Sequence, residues 1–546
     1  MRRSRIGVFP ETELSRRDRL WAMLGRIFPV CFETCSCLQE YQGDAIVAFQ
    51  NAQRFVAEEL RVKNILVFLD GTARLADNEL GHIEFGYSAS LPAYFRGEKV
   101  FDSNVKIAGE LSLQDSDIVL ASQRGRSLWT QRVMGRSTVE FVVARLPEMG
   151  EASFLCECFR SEQFFSLFPL VHFLRKVALY SRWTVPKPRA CFMFDDPNLH
   201  ARRYGFVDFA ELARHAEKFN YHVSFATIPL DKWLLSRRAC KIFTDSPERL
   251  SLLIHGNNHT YEELASTVDE PAQVALIAQA LERISDLERR SGLHIARVMA
   301  APHGACSESM LATMSRMGFE AACISYGSLR RYNHNSAWTR EIGLAMAETI
   351  NGLPVVPRFG LAGATRCQIL LSAFLDQPIV LAGHHNDLAQ GLDGLACCAE
   401  WINGLEDVSW MDMGSIARSN YCSIYDDQAL HLVMHSNLIR LALPSCINTL
   451  FLHGGPAGGR NIEEPSWTVR HSNGSEEPVS AGQGLRVTPG CPVEVRRTFL
   501  RGSNSRPLSK GTMRMWPVLR RLLTECRDRF SPLKSRFTIR QKKLSD

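Results

Sequence analysis

Two adjacent carboxylates, Asp195 and Asp196, end the apolar run of CFMFDDPNLH at 191–200. Like charges repel and cost free energy to desolvate, so such a pair at the end of a buried strand calls for a cation. Histidines follow other apolar runs downstream: His255 and His259 in SLLIHGNNH, His303 in ARVMAAPHG, and His384 and His385 in PIVLAGHHND. One Asp and two His make three ligands of the kind zinc takes, with a fourth position left for water. Water bound there ionises near a pH of about 7, which makes it a nucleophile in neutral solution. The other carboxylate is then available as a general base, and a His from a different strand as the acid that protonates a leaving group. The chemistry open to this set is metal-assisted hydrolysis.

Each piece alone is commonplace. An Asp pair after a strand serves as a turn or a helix cap, and a lone His at a strand end is ordinarily structural. Spacing separates one histidine pair from another. The stretch YDDQALHLVMH also offers Asp426, Asp427, His431 and His435. There HLVMH lies within a strand-like run, where four residues span about 13 Å, too far for two imidazoles to share one ion. In HGNNH the pair follows its strand into a loop or helix start, where a four-residue offset brings both rings to one point.

The elements that would position these residues lie between 187 and 425. Apolar runs of four to six residues alternate there with helical stretches such as VDFAELARHAEKF (207–219) and PAQVALIAQALERISDLERR (271–290). Strands alternating with helices imply βα units, a parallel sheet and an α/β fold. In a parallel (β/α) barrel the strand C-termini converge on one face, so the strand-end Asp and His residues are expected to meet there. The flanks differ in texture. Residues 1–148 mix short strand-like runs (NILVFLD at 64–70, DIVLASQ at 117–123, VEFVVARLP at 139–147) with polar turns and read as an N-terminal α/β or α+β domain. FLDG at 68–71 reads as a strand end and turn. Residues 149–186 hold the apolar FFSLFPLVHFL (164–174), expected as a core helix or interfacial segment, and then the proline-rich WTVPKPRA, a linker. Residues 426–500 are β-like and turn-rich, as in a small β-sandwich. Their HGGPAGGR (453–460) lacks the Gly-Lys-Ser/Thr ending of a phosphate loop and reads as a connecting loop.

The order of motifs resembles that of the polysaccharide deacetylase (NodB-homology) family, carbohydrate esterase family four, over residues 187–425. That resemblance implies a distorted (β/α) barrel that removes acetyl groups from N-acetylated sugars with zinc or a similar divalent ion. The family's TFDDG is similar to MFDDP here, which implies Asp195 as base and Asp196 as metal ligand. Its H-S/T-x-x-H is similar to HGNNH, with His255 and His259 as the other ligands. Its strand ending in L-x-H is similar to VLAGHH, which makes His384 or His385 the acid; adjacent residues of a strand point to opposite faces, so only one enters the site. The third motif, R-x-P-Y-G, is matched in part by AAPHG. Its arginine, which orders the catalytic Asp in the family, is Ala300, and Arg358 in VVPRFG is the candidate to replace it. The tyrosine whose backbone N–H helps hold the oxyanion is His303, and a backbone donor survives a change of side chain. Asn198, His303 and Arg358 are the candidate substrate contacts. Two other readings stay open: a metal-dependent amidase acting on a non-sugar amide, and a catalytically lapsed carbohydrate-binding barrel, suggested by Ala300.

Composition fits a soluble globular protein, 45% hydrophobic and 22% charged over 546 residues, which implies two to four domains. No transmembrane span and no secretory signal are evident. Sixteen cysteines, most within apolar runs, do not make a disulfide scaffold, so a reducing cytoplasm is the expected setting. The net charge of +6 is concentrated at the end: residues 501–546 carry thirteen Lys/Arg against three acids. This basic tail is expected to be solvated, with peripheral contact to an anionic membrane as the alternative; no nucleic-acid partner is expected. The implied cofactor is a divalent metal, Zn2+ first among zinc, cobalt, nickel and manganese, and the implied partner is a carbohydrate or amino-sugar substrate.

Overall fold

Apolar side chains at every second position determine how the middle of the chain curls. The computed structural model describes residues 3–50, 61–69, 79–105, 111, 113–179, 183–266, 269–455, 457–458, 465–498 and 515–545. The turn at FLDG falls outside these at Asp70 and Gly71, as do residues 499–514 of the basic segment.

The N-terminal region holds a nine-stranded sheet in the order 30–34, 4–9, 45–50, 64–69, 137–142, 126–134, 118–123, 79–85 and 99–105. Its first five strands are mutually parallel and the rest antiparallel. Helix α1 (Phe168–Leu179) follows, and the apolar segment read from the sequence is a core helix: Phe168, Leu170, Val171 and Leu174 are fully buried. Phe168 stacks on Phe374 with ring centroids 4.4 Å apart and meets Trp129 of the N-terminal sheet edge-on, so this helix joins that sheet to the middle region.

The middle region is built on seven parallel strands: β1 (Arg189–Asp195), β2 (Val223–Thr227), β3 (Leu250–His255), β4 (Ile295–Ala300), β5 (Ala321–Cys323), β6 (Leu353–Val356) and β7 (Ile379–Gly383). They lie in the order β7-β1-β2-β3-β4-β5-β6, with α2 (Glu270–Ser291) leading from β3 to β4. The sheet is a curled half-barrel and not a closed ring. Its ends, Phe359–Gly360 beside β7 and Ala457–Gly458 beside Glu348–Ile350, are not paired to each other among the described residues. Part of the glycine-rich segment read as a loop is thus an edge strand. A Cβ on Gly458 would press on Trp338, and the bare backbone lets the edge form there.

The concave face is lined by small and apolar residues of alternate positions: Cys191 and Met193 of β1, Leu253 of β3, Val298 and Ala300 of β4, Val380 of β7. Helix α3 (Met413–Arg418) inserts Met413, Ile416 and Ala417 among them and fills the curl from one end. The same alternation carries Asp195 on after Met193, and His255 on after Leu253, to the strand C-terminal end.

Two further sheets enclose a separate core containing Leu432, Leu452, Trp467, Val469 and Val495. One has five strands and begins with Trp183–Thr184, within the segment read as a linker; the other has four. Part of the basic C-terminal segment is docked and not solvated. Residues Met515–Ser545 form helix α4, and its Arg521, Glu525 and Asp528 are buried against the middle region. Charged residues bury only when paired, and these three find partners on the barrel mouth.

Candidate metal centre

Three side chains from two strand ends converge at the C-terminal mouth of the curl. Asp196 Oδ1 lies 3.1 Å from His259 Nε2 and 3.7 Å from His255 Nε2. The three ligand atoms fall within 4.8 Å of one another, the one such group among the described residues. Asp196 Oδ1 is buried, and no donor is aligned to it for a hydrogen bond. A buried carboxylate oxygen without a donor, facing two imidazole nitrogens, fits a divalent cation that takes oxygen and nitrogen ligands.

The sequence makes this arrangement locally. Asp196 follows β1 in the left-handed region, φ +82°, so the carboxylate after Asp195 leaves the strand's alternation. His259 is also left-handed, φ +56°. The loop between the two histidines turns at Gly256, φ +61°, where a Cβ would collide with the Glu263 carboxylate and the Pro302 ring. Glu263 then holds the loop: it accepts the backbone N–H groups of Asn257, Asn258 and His259 at 2.7, 3.0 and 3.1 Å. From α2, Arg283 donates to the side-chain oxygens of Asn257 and Asn258, and Gln279 accepts from the Asn257 amide.

Electrostatics suit ligation. His255 Nδ1 is 2.9 Å from the Ala300 carbonyl, which can only accept, so the proton sits on Nδ1 and Nε2 keeps its lone pair toward Asp196. Burial pushes the His255 pKa down to about 4, which keeps the ring neutral, as a ligand must be. Burial opposes ionisation of Asp196, but its contact with His259 and the charge of Arg521 hold its carboxyl well below the usual range.

Asp195 sits beside the group, 4% exposed, with both carboxylate oxygens bonded by Arg358 Nη1 at 3.1 and 3.0 Å. Arg358 also reaches the Ala301 carbonyl at 3.5 Å. A guanidinium missing at Ala300 therefore arrives from the loop after β6. Arg358, also a candidate substrate contact in the sequence, is instead committed to Asp195.

The remaining candidates divide by which way they face. His384 is exposed at the end of β7, near enough to His303 for its charge to act on that ring. His303 is exposed at the rim, its ring 5.1 Å from that of His259. His385 points away from the mouth: it is 3% exposed, packs on Tyr204 and Phe206, and lies 3.6 Å from Asp528 of α4. Asn198 is likewise withdrawn, 1% exposed, its amide donating to Asp231 and its oxygen accepting from Arg529. Both side chains are taken up in the docking of α4. His431 and His435 lie apart, one against His453 and the other against the Ala347 carbonyl.

Sequence reasoning misses the residues that hold the centre in place. Arg521 pairs with buried Asp231 at 2.7 Å and donates to the Asp196 carbonyl at 3.0 Å, and Arg520 donates to the His259 carbonyl. Glu263, four residues after His259, and Gln279 and Arg283, one turn apart on α2, are legible only as helix and loop residues. A cavity of about 660 Å³, lined by Arg26, Trp183, Leu344 and His453 among others, shares no residue with the centre.

No family model matches the chain, and no curated protein matches it. Among solved structures, the chain is similar to the carbohydrate deacetylase Agd3, at 8% identity and a TM-score of 0.48 over 91% of this chain and 99% of that one. It is similar at 12% identity and a TM-score of 0.24 to the catalytic domain of the peptidoglycan N-acetylglucosamine deacetylase from Eubacterium rectale, over 41% of this chain and 89% of that one. The polysaccharide deacetylase from Bacillus cereus is matched at the same identity and TM-score, over 42% of this chain and 94% of that one. At TM-scores below 0.5 these likenesses carry no functional weight, which rests instead on the geometry of the centre.

Proposed function

We propose that the chain is a metal-dependent hydrolase that removes an N-acetyl or related acyl group from a carbohydrate or amino-sugar compound. The observation that carries this reading is the convergence of Asp196, His255 and His259 beside a second carboxylate, Asp195, gripped through both oxygens by Arg358. When bound, a divalent cation held by those three supplies Lewis-acid polarisation of the acyl oxygen and acidified water. Asp195 takes the proton of the attacking water at its carboxylate; Arg358 fixes the orientation of that carboxylate and keeps it from turning toward the ligand set. His384, at the rim, hands a proton to the departing amine nitrogen. The backbone N–H of His303 is placed in the motif where the resembling family stabilises the oxyanion. The carbohydrate substrate and the amide bond rest on the motif resemblance, and metal-assisted hydrolysis on the centre itself. The reason to consider a lapsed site is Ala300, and Arg358 reaching Asp195 weakens that reason.

The test is metal analysis beside acetate release from N-acetylated amino sugars and from simple acyl amides. The wild type is expected to carry about one divalent ion per chain, and His255→Ala and His259→Ala to lose it. Asp195→Asn is expected to keep the ion while turnover falls by roughly 10²–10⁴-fold. Turnover unchanged in Asp195→Asn would remove the base; release from acyl amides alone would favour the non-sugar amidase.

A further inference from the structure

Helix α4 wears its polarity inside out. Arg521, Glu525 and Asp528, at a spacing of four and three, form the buried stripe. Trp516, Leu519, Leu523 and Phe530, at a spacing of three, four and seven, are 68%, 50%, 62% and 57% exposed. A surface helix ordinarily turns its apolar stripe to the core and its charges to water. Here the charged stripe is satisfied by the barrel mouth, through Asp231, His200 and Tyr204, and the apolar stripe is left facing outward. A contiguous exposed stripe of this kind marks a contact surface.

We propose that the outward face of α4 docks on an anionic membrane surface, so that the chain lies on a bilayer with its barrel mouth next to the lipid. Charge selects this occupant. Residues 501–546 hold thirteen Lys/Arg and three acids, and two of those acids, Glu525 and Asp528, are on the buried stripe with partners of their own. The segment is basic overall by sequence, and Arg527, its side chain 73% exposed, lies between Leu523 and Phe530 while pairing with Asp528. An apolar stripe with a tryptophan and basic flanks is the composition that settles at the headgroup boundary. Two copies of this face would bring like charge against like charge, which disfavours self-association. A nucleic acid would take the arginines but leave the leucines without a use. No helix among the described residues is long and apolar enough to cross a membrane, so the contact is one of lying on the surface. This attachment goes beyond the hydrolase reading and does not depend on it.

The experiment is flotation of the full-length chain with vesicles of phosphatidylcholine alone and of equal parts phosphatidylcholine and phosphatidylglycerol. Binding is expected to the mixed vesicles, to weaken with added salt, and to fall roughly a hundredfold in the double variant Leu519→Ser, Leu523→Ser, the scale set by two leucines leaving an apolar phase. Both side chains face outward, and an unchanged melting temperature checks that the variant folds. Arg527→Gln removes one exposed charge, with the melting temperature again checking that the loss of its Asp528 contact leaves the fold intact, and is expected to weaken binding several-fold. No binding to the mixed vesicles, equal binding to both compositions, or binding unchanged in the double variant overturns the proposal. So does a wild-type dimer that the double variant dissolves, since a second copy would then cover the stripe, or capture of single-stranded RNA that the same variant abolishes. Because the readout is vesicle binding, it stands whether or not the centre turns over a sugar.

Discussion

Glu263 touches no ligand atom, yet it holds the backbone on which His259 is mounted. Its carboxylate gathers three consecutive N–H groups, and the last belongs to a histidine held at φ +56°. A left-handed residue other than glycine costs of order 1–3 kcal/mol and persists only where its surroundings impose it. Replacing one carboxylate oxygen with an amide turns an acceptor into a donor facing other donors. Glu263→Gln is therefore expected to lower zinc affinity by roughly 10–100-fold, the range for partners that orient a ligand from behind. Competition with a chelating dye measures it. Affinity equal to wild type would show that the loop holds His259 without the carboxylate.

At the scale of elements, the centre is assembled from strand ends and then closed by a helix distant in sequence. Alternation along β1 and β3 delivers Asp195 and His255 to the mouth, while α4 arrives from more than three hundred residues downstream of Asp196 to bond its carbonyl. The anchor is the Arg521–Asp231 pair, with side chains 4% and 1% exposed. Removing one member of a buried pair strands the other charge, a loss of about 3–5 kcal/mol. Arg521→Ala is thus expected to undock α4. Amide exchange over residues 515–532 would rise while exchange in β1 and β3 stays slow. Protection of those amides at the wild-type level would mean that the other contacts hold the helix alone.

At the scale of the molecule, stability carries the mark of one buried acid. Glu348, on the strand beside β6, is held up to about 7 by burial, against the Gly343 N–H that it accepts at 2.8 Å. Below the ordinary glutamate range both folded and unfolded chains hold this proton. As pH rises from about 4.5 the unfolded chain gives it up first, so this group's contribution falls until the folded chain also ionises near 7 and is flat above. The loss is up to about 3 kcal/mol. Melting curves at about pH 5 and about pH 8 are expected to differ more in the wild type than in Glu348→Gln; the same difference in both would assign the pH dependence to another group.

Much of the centre is legible in the sequence because its residues sit where periodicity breaks: the carboxylates end one apolar run, and a histidine pair follows another. The rejection of HLVMH rests on strand rise alone, and His431 and His435 do lie apart. Strand–helix alternation likewise implies the parallel sheet. What local pattern could not reveal depends on residues far apart in the chain. Arg358 reaches Asp195 across 163 positions, and Arg521 reaches Asp231 across 290. Which of His384 and His385 faces the mouth is decided only when Tyr204 and Asp528 claim one of them. The basic segment reads as a solvated tail because its arginines outnumber its acids, and the acid that pairs with Arg521 lies 290 positions away. Burying them becomes favourable only after folding has brought Asp231, His200 and Tyr204 to one surface.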